Sequence, residues 1–286
     1  MSRNLWQRIA IAAVAIPLAL GVLWWGGWVL ALCLALLGVL GTREVYDLAR
    51  RQGIDALDGF GYAAAAAIPV ATFWTKGSDR HWAEPALFIG ALWLLGVLVG
   101  AMVTRGPRDR PLAAVAVTVF GSLYASALLA FVIAIRHGVR SAAEPRAYTW
   151  LVILPLALTW TCDTCAMAAG TALGGPKLAP VLSPNKTWAG AIGGTVGALA
   201  AAVAFGELIL NRVGWQLGVW QLLGVGLLVG VVGQLGDVAE SLFKREAGIK
   251  DSSSLIPGHG GVLDRLDSLY FVLPATAGLF KLYGIV

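Results

Sequence analysis

The sequence predicts an all-α fold, a polytopic transmembrane helical bundle of about nine spans, on three observations. Of 286 residues, 58% are hydrophobic and only 13% charged, and mean hydropathy is +0.76. Soluble domains carry roughly 25% charged residues and about 45–50% apolar ones. A water-soluble fold of this size has too little interior to hide so much apolar surface, so lipid must solvate much of the chain. The apolar residues gather into runs of the ~17–25 residues that a bilayer helix needs, and Lys and Arg fall in short clusters between those runs.

In order, the runs are 9–25, 27–42, 59–74, 86–104, 112–135, 150–171, 188–210, 217–236 and 268–285. Arg3 and Arg8 followed by the first run imitate a secretory signal. Further spans follow and no small-residue cleavage site is evident, so this run reads as a retained helix. Trp24, Trp25 and Trp28 around Gly26 and Gly27 read as a hairpin tip at the headgroup level, which Trp favours. The third run is short and rich in alanine. Gly190, Gly193, Gly194 and Gly197 within the seventh permit close helix contact. No repeat or low-complexity tail is evident, and 1–286 reads as one integral membrane domain.

With the N-terminus in the cytoplasm and the runs alternating, 14 of the 21 Lys and Arg residues fall on the cytoplasmic side and 7 on the other. That bias favours an N-in orientation, although the loop holding Arg136, Arg140 and Arg146 runs against it. The net charge of +5 and pI near 9.3 reflect these loop clusters. No basic stripe interleaved with aromatics is present, so nucleic acid is not an expected partner. Cys162 and Cys165 have the spacing of a redox or zinc pair but lack a second pair, and they read, with Cys33, as buried thiols.

Polar residues concentrate in two cytoplasmic segments. One runs from Gly236 to Asp267 and holds Asp237, Glu240, Asp251, Asp264 and Asp267 beside Lys244, Arg245, Lys250 and Arg265. If the eighth run continues as helix past Gly236, then Asp237, Ser241 and Lys244 line one face, at i, i+4 and i+7. Ile256 to Gly261 is a glycine-rich turn whose backbone N–H groups suit an anion. The other segment, Lys177 to Thr187, contains Ser183, Pro184, Asn185 and Lys186. Carboxylates that hold a hard divalent cation, beside ammonium and guanidinium groups that meet phosphate oxygens, are what phosphoryl or nucleotidyl transfer requires. Asp163 lies inside the sixth run, where a charge is costly and marks function; it is expected to face the bundle interior. No Walker A loop, HExxH motif or nucleophile elbow is present.

At these residues the sequence resembles the phosphatidate cytidylyltransferase family, also called CDP-diacylglycerol synthases. Ser241, Lys244, Arg245, Lys250, Asp251, His259, Gly260, Gly261, Asp264, Arg265 and Asp267 match that family's C-terminal signature in order and spacing. Ser183, Asn185, Lys186 and Thr187 are similar to its second conserved stretch, and Asp163 to its intramembrane acidic position. Met167 and Ala189 depart from it, where aromatic and polar residues are common.

The resemblance implies a membrane enzyme that transfers a cytidylyl group from CTP to phosphatidic acid, with Mg²⁺ as cofactor and K⁺ as a further candidate ion. It implies metal binding by Asp237 and Asp264, and catalytic roles for these with Lys244, Arg245, Lys250, Asp251 and Arg265, the cations meeting phosphates. Ser183, Asn185, Lys186, Thr187, Ser241, His259, Gly260 and Gly261 are implied to bind substrate. Residues 1–149 are then mostly scaffold, and 150–286 carry the catalytic cavity. The expected setting is a bacterial inner membrane, with N-terminus and active site cytoplasmic, the bilayer as a partner and a homodimer as a candidate assembly. Two rivals are a CTP-using transferase acting on another lipid phosphate or a polyprenol, and a secondary transporter with Asp163 in its ion path. A transporter predicts broken helices in both halves, whereas the polar residues crowd the C-terminal half.

Overall fold

Each of the nine apolar runs is occupied by helix in the computed structural model, which describes residues 3–76, 83–138, 146–256 and 258–286. Arg80 and Arg140 of the topology count, and Pro257 of the glycine-rich turn, lie outside the described residues. The helices are α1 (Arg3–Trp25), α2 (Gly27–Arg50), α3 (Asp58–Lys76), α4 (Ala83–Thr104), α5 (Pro111–Ser122), α6 (Leu128–Arg136), α7 (Ala147–Leu173), α8 (Trp188–Leu208), α9 (Val219–Glu246) and α10 (Leu263–Leu282). One π-helical turn, Leu123–Ala127, joins α5 to α6, so the fifth run is a single helical segment with a bulge. The all-α expectation holds but for one antiparallel hairpin, β1 (Lys177–Ala179) with β2 (Ser183–Thr187).

Among the described residues six helical segments are long and apolar enough to cross a membrane: Gly27–Arg50, Glu84–Thr104, Pro111–Arg136, Ala147–Leu173, Trp188–Val213 and Val219–Glu246. The first, third and ninth runs form helices outside that set. In α4 only 11% of the most apolar stretch is buried within the protein. Such a face would aggregate in water and is at home in hydrocarbon, where a helix satisfies its own backbone groups.

The chain divides into two compact units, Met1–Ile133 with Glu246–Arg265, and Ala134–Arg245 with Leu266–Val286. In the first, α2 packs on α3 and α5 around Tyr46, which is wholly buried. Tyr46 Oη donates to the Thr118 carbonyl at 2.8 Å, and Thr42 Oγ1 donates to the Gly121 carbonyl at 3.3 Å. Gly61 and Gly121 leave the room that the Tyr46 ring fills. Ser126, in the π turn, donates to the Ala65 carbonyl at 2.6 Å.

In the second unit α7 and α8 lie in close contact along small residues. A Cβ added at Gly190 would come within 2.8 Å of the Ala166 carbonyl oxygen, and one at Gly194 within 2.9 Å of the Cys162 carbonyl oxygen. The glycines of the seventh run therefore set the helix spacing. Helix α9 packs as closely on α8 at Gly230, where a Cβ would come within 2.9 Å of Thr195 Cα. Trp215 Nε1 donates to the Ala147 carbonyl at 2.9 Å, tying the α8–α9 connection to the start of α7.

Candidate active site

In the second unit the candidate residues gather where α7 gives way to the hairpin. The left-handed backbone at Gly174 (φ 63°) and Gly175 (φ 92°) ends α7 and turns the chain. β2 then leads directly into α8, which Thr187 caps: its Oγ1 accepts from the Gly190 N–H at 3.0 Å. Thr187 is therefore buried at a helix start and, with Asn185 and Lys186, lines a cavity of about 700 Å³. Asp163, Lys177, Gln234 and Asp237 line the same cavity. Asp163, inside the sixth apolar run, thus lines this cavity and is exposed there rather than buried, contrary to the expectation that it faces the bundle interior.

The ion pairs differ from a simple helix-face arrangement. Helix α9 does continue past Gly236, and Ser241 Oγ donates to Asp237 Oδ1 at 3.4 Å, one turn apart. The lysine that reaches Asp237 is Lys186, from β2, with Nζ 2.6 Å from Asp237 Oδ2. Lys244 instead meets Glu240 at 3.0 Å, with both side chains buried. Arg245 Nε donates to the Leu182 carbonyl at 3.2 Å and so braces the hairpin turn. Gly236 sits against α10; a Cβ there would come within 2.6 Å of the Asp267 carbonyl oxygen and 3.1 Å of Ser268 Cα. Asp267 lies just ahead of the last apolar run. Burial first, and then the negative charge of Asp237, push its carboxyl up to about 7.

In the first unit the α9–α10 loop is organised by two carboxylates. The glycine-rich turn closes on itself: Ile256 N donates to the Gly260 carbonyl at 2.8 Å and His259 N to the Ile256 carbonyl at 2.9 Å. Gly260 has φ 81°, a conformation suited to glycine. Asp264 Oδ2 accepts from Ser252 N and Gly261 N, each at 2.8 Å, and Ser252 Oγ, whose one proton is shared with Glu44, also lies 2.8 Å from it. Glu44, on α2, accepts from Val262 N and Leu263 N at 2.9 Å. Three amides at this turn therefore point at the protein's own carboxylates, which take the place expected for an outside anion. Lys250, Asp251 and Arg265 are exposed, and His259 is half-buried.

The structure thus brings Asp163, Asn185, Lys186 and Asp237 together in one unit, and Gly261 and Asp264 in the other. Two polar residues of these clusters escape a reading of the sequence. Gln234 crosses from α9 to α8, its Nε2 donating to the Ala191 carbonyl at 3.1 Å. Glu44 lies in the 1–149 half read as scaffold. The one signal for either is a polar group within or beside an apolar run.

Among the described residues no three His, Cys, Asp or Glu side chains gather as a ready-made metal site. The oxygen donors at the cavity, carboxylates with Asn185 and Gln234 amides, are of the hard kind that Mg²⁺ takes, usually one or two carboxylates completed by phosphates and water. That donor set fits a divalent ion brought with a phosphorylated substrate. It does not fit zinc, and Cys33, Cys162 and Cys165 are free cysteines.

The family model described as the cytidylyltransferase family matches residues 6–283. A phosphatidate cytidylyltransferase of Synechocystis sp. is 32% identical over 290 residues, covering 94% of each chain. One from Brucella suis is 39% identical over 236 residues, covering 77% of this chain and 82% of its own. One from Staphylococcus aureus is 47% identical over 123 residues, 43% of this chain and 46% of its own.

Proposed function

From the premise that this chain belongs to the cytidylyltransferase family, we propose that its polar cavity joins CTP to phosphatidate, giving CDP-diacylglycerol and pyrophosphate for phospholipid synthesis. The observation that carries this reading is the cavity of about 700 Å³, which sets Asp163 and Asp237, from two apolar helices, beside Lys177 and Lys186 of the hairpin. A substrate that is half lipid and half ionic needs that arrangement: acyl chains in the bilayer, headgroup among charges.

An oxygen of the phosphatidate phosphate forms a bond to the α-phosphorus of CTP as the bond from that phosphorus to the β-phosphate bridge breaks, and pyrophosphate carries the electron pair away. The attacking phosphate is already an anion near neutral pH, so no strong base is needed. The obstacle is bringing two polyanions together. Lys186 and Lys177 attract phosphate oxygens, while Asn185 offers a directed donor. Asp237, with Asp163 in the same cavity, supplies carboxylates for Mg²⁺, which when bound offsets charge on the phosphates. The resemblance assigns metal binding to Asp264 as well. Lys250 and Arg265 are exposed cations for the triphosphate.

We place the N-terminus and this polar cavity on the cytoplasmic face of a bacterial inner membrane, supported by the 14-to-7 division of basic residues. The test is purified protein given labelled CTP and a panel of lipid phosphates that includes a polyprenyl phosphate. Incorporation into phosphatidate above all others supports the reading; preference for another phosphate overturns the choice of acceptor.

A further inference from the structure

Glu44 is 3% exposed on α2, a helix of mostly apolar residues. A buried carboxylate persists only with a full set of donors, and this one has four. Its Oε1 accepts from Ser253 Oγ at 2.8 Å and Val262 N at 2.9 Å. Its Oε2 accepts from Ser252 Oγ at 2.8 Å and Leu263 N at 2.9 Å. The two amides lie at the start of α10, Val262 just ahead of it and Leu263 its first residue, where backbone N–H groups lack helical partners and the helix dipole favours a negative charge.

The arrangement is tightly fitted. A Cβ at Gly261 would overlap Ser252 Oγ and both carboxylate oxygens of Glu44, so glycine there is a condition of the clamp. Ser252 Oγ lies 2.8 Å from Asp264 Oδ2 as well, and one hydroxyl therefore links Glu44 to Asp264. The carrier is firm, because Thr42 and Tyr46 bond α2 to the α5 backbone on either side of Glu44.

We infer that Glu44 is a positioning residue for cytidylyl transfer: from α2 it fixes the Ser252–Leu263 loop, and through Ser252 it sets the Asp264 carboxylate. This rests on the proposed transfer reaction and extends it to a residue that touches no substrate. Hydrophobic packing would hold the loop without direction, whereas two carboxylate oxygens each taking a hydroxyl and an amide fix both ends of it at once.

The experiment uses the full chain, purified in detergent with phosphatidate and CTP. Glu44→Gln keeps the size but replaces one acceptor oxygen with an NH₂ group, which faces the Val262 or the Leu263 N–H donor to donor. The expected result is a kcat at least about tenfold lower, since small misplacements of catalytic groups cost that much. KM for CTP stays within about twofold, because no substrate contact is lost. A folded Glu44→Gln protein with wild-type kcat overturns the inference, as does a change confined to KM. If Glu44→Gln does not fold, Ser253→Ala decides, since it removes one of the four donors and keeps the charge: a lower kcat at an unchanged unfolding midpoint supports the role, and an unchanged kcat overturns it. Wild-type protein that does not turn over CTP with phosphatidate defeats the proposed function instead. Hydrogen exchange at the 262 and 263 amides then reads the clamp by itself: faster in Glu44→Gln or Ser253→Ala upholds it, and unchanged in both overturns it.

Discussion

Lys186 Nζ lies 2.6 Å from Asp237 Oδ2, joining strand β2 to helix α9 inside one cavity. A lysine implied by the resemblance to bind substrate is thus paired with an aspartate implied to bind metal. Their side chains are 24% and 35% exposed, so the pair contributes little to stability, on the order of 0–1 kcal/mol. On the proposed reading its use lies in exchange: a phosphate would take the lysine and a cation the carboxylate.

Replacing either partner therefore changes kinetics more than folding. Asp237→Asn is expected to lower kcat at least about a hundredfold, through lost cation binding. Lys186→Met is expected to raise KM for CTP roughly tenfold, the worth of one charge-assisted hydrogen bond. Steady-state assays over CTP and Mg²⁺ concentrations check both. Near-normal kcat in Asp237→Asn removes that residue from the metal assignment.

Gly236 sets the spacing of α9 and α10 within the second unit. A Cβ there would meet backbone, 2.6 Å from the Asp267 carbonyl oxygen, and backbone cannot swing aside as a side-chain end can. Gly236→Ala is expected to cost about 1–3 kcal/mol, as overpacking does. A lower unfolding midpoint in detergent would show it, and an unchanged midpoint would contradict the close packing.

Asp267 gives a pH dependence with a definite sign. Its carboxyl is held up to about 7 by burial and by Asp237, whereas an unfolded aspartate titrates near ~3.9. Between those values the folded protein keeps a proton that the unfolded chain releases. This stabilising contribution is fully present below about pH 4 and is lost as pH rises through about 7. Thermal unfolding of metal-free protein from about pH 5 to 8 is expected to show falling stability, and Asp267→Asn to flatten part of that slope. Equal slopes in both proteins would contradict it.

The helices were legible because lipid imposes a coarse rule: a run long enough to cross and polar residues at its ends. The continuation of α9 to place Asp237 and Ser241 on one face followed from helical spacing alone. Partners were less legible. Spacing on α9 says nothing about Lys186, which reaches Asp237 only because a hairpin folds back between Gly175 and α8. Glu44 was harder still, being separated from Ser252 by 208 residues. Its reason for being buried lies wholly in amides and hydroxyls that a one-dimensional pattern does not show. Arg245 and Thr187 carry the opposite lesson: residues matching a functional signature also hold up the local fold, one bracing the hairpin turn and the other capping α8.

The most direct measurement of the central claim is pyrophosphate release by the purified chain given CTP and phosphatidate, with and without Mg²⁺, beside Asp237→Asn. Release is expected to require both substrates and Mg²⁺, with one CDP-diacylglycerol formed per pyrophosphate and near loss in the variant. Release independent of phosphatidate, or equal in the variant, would contradict it.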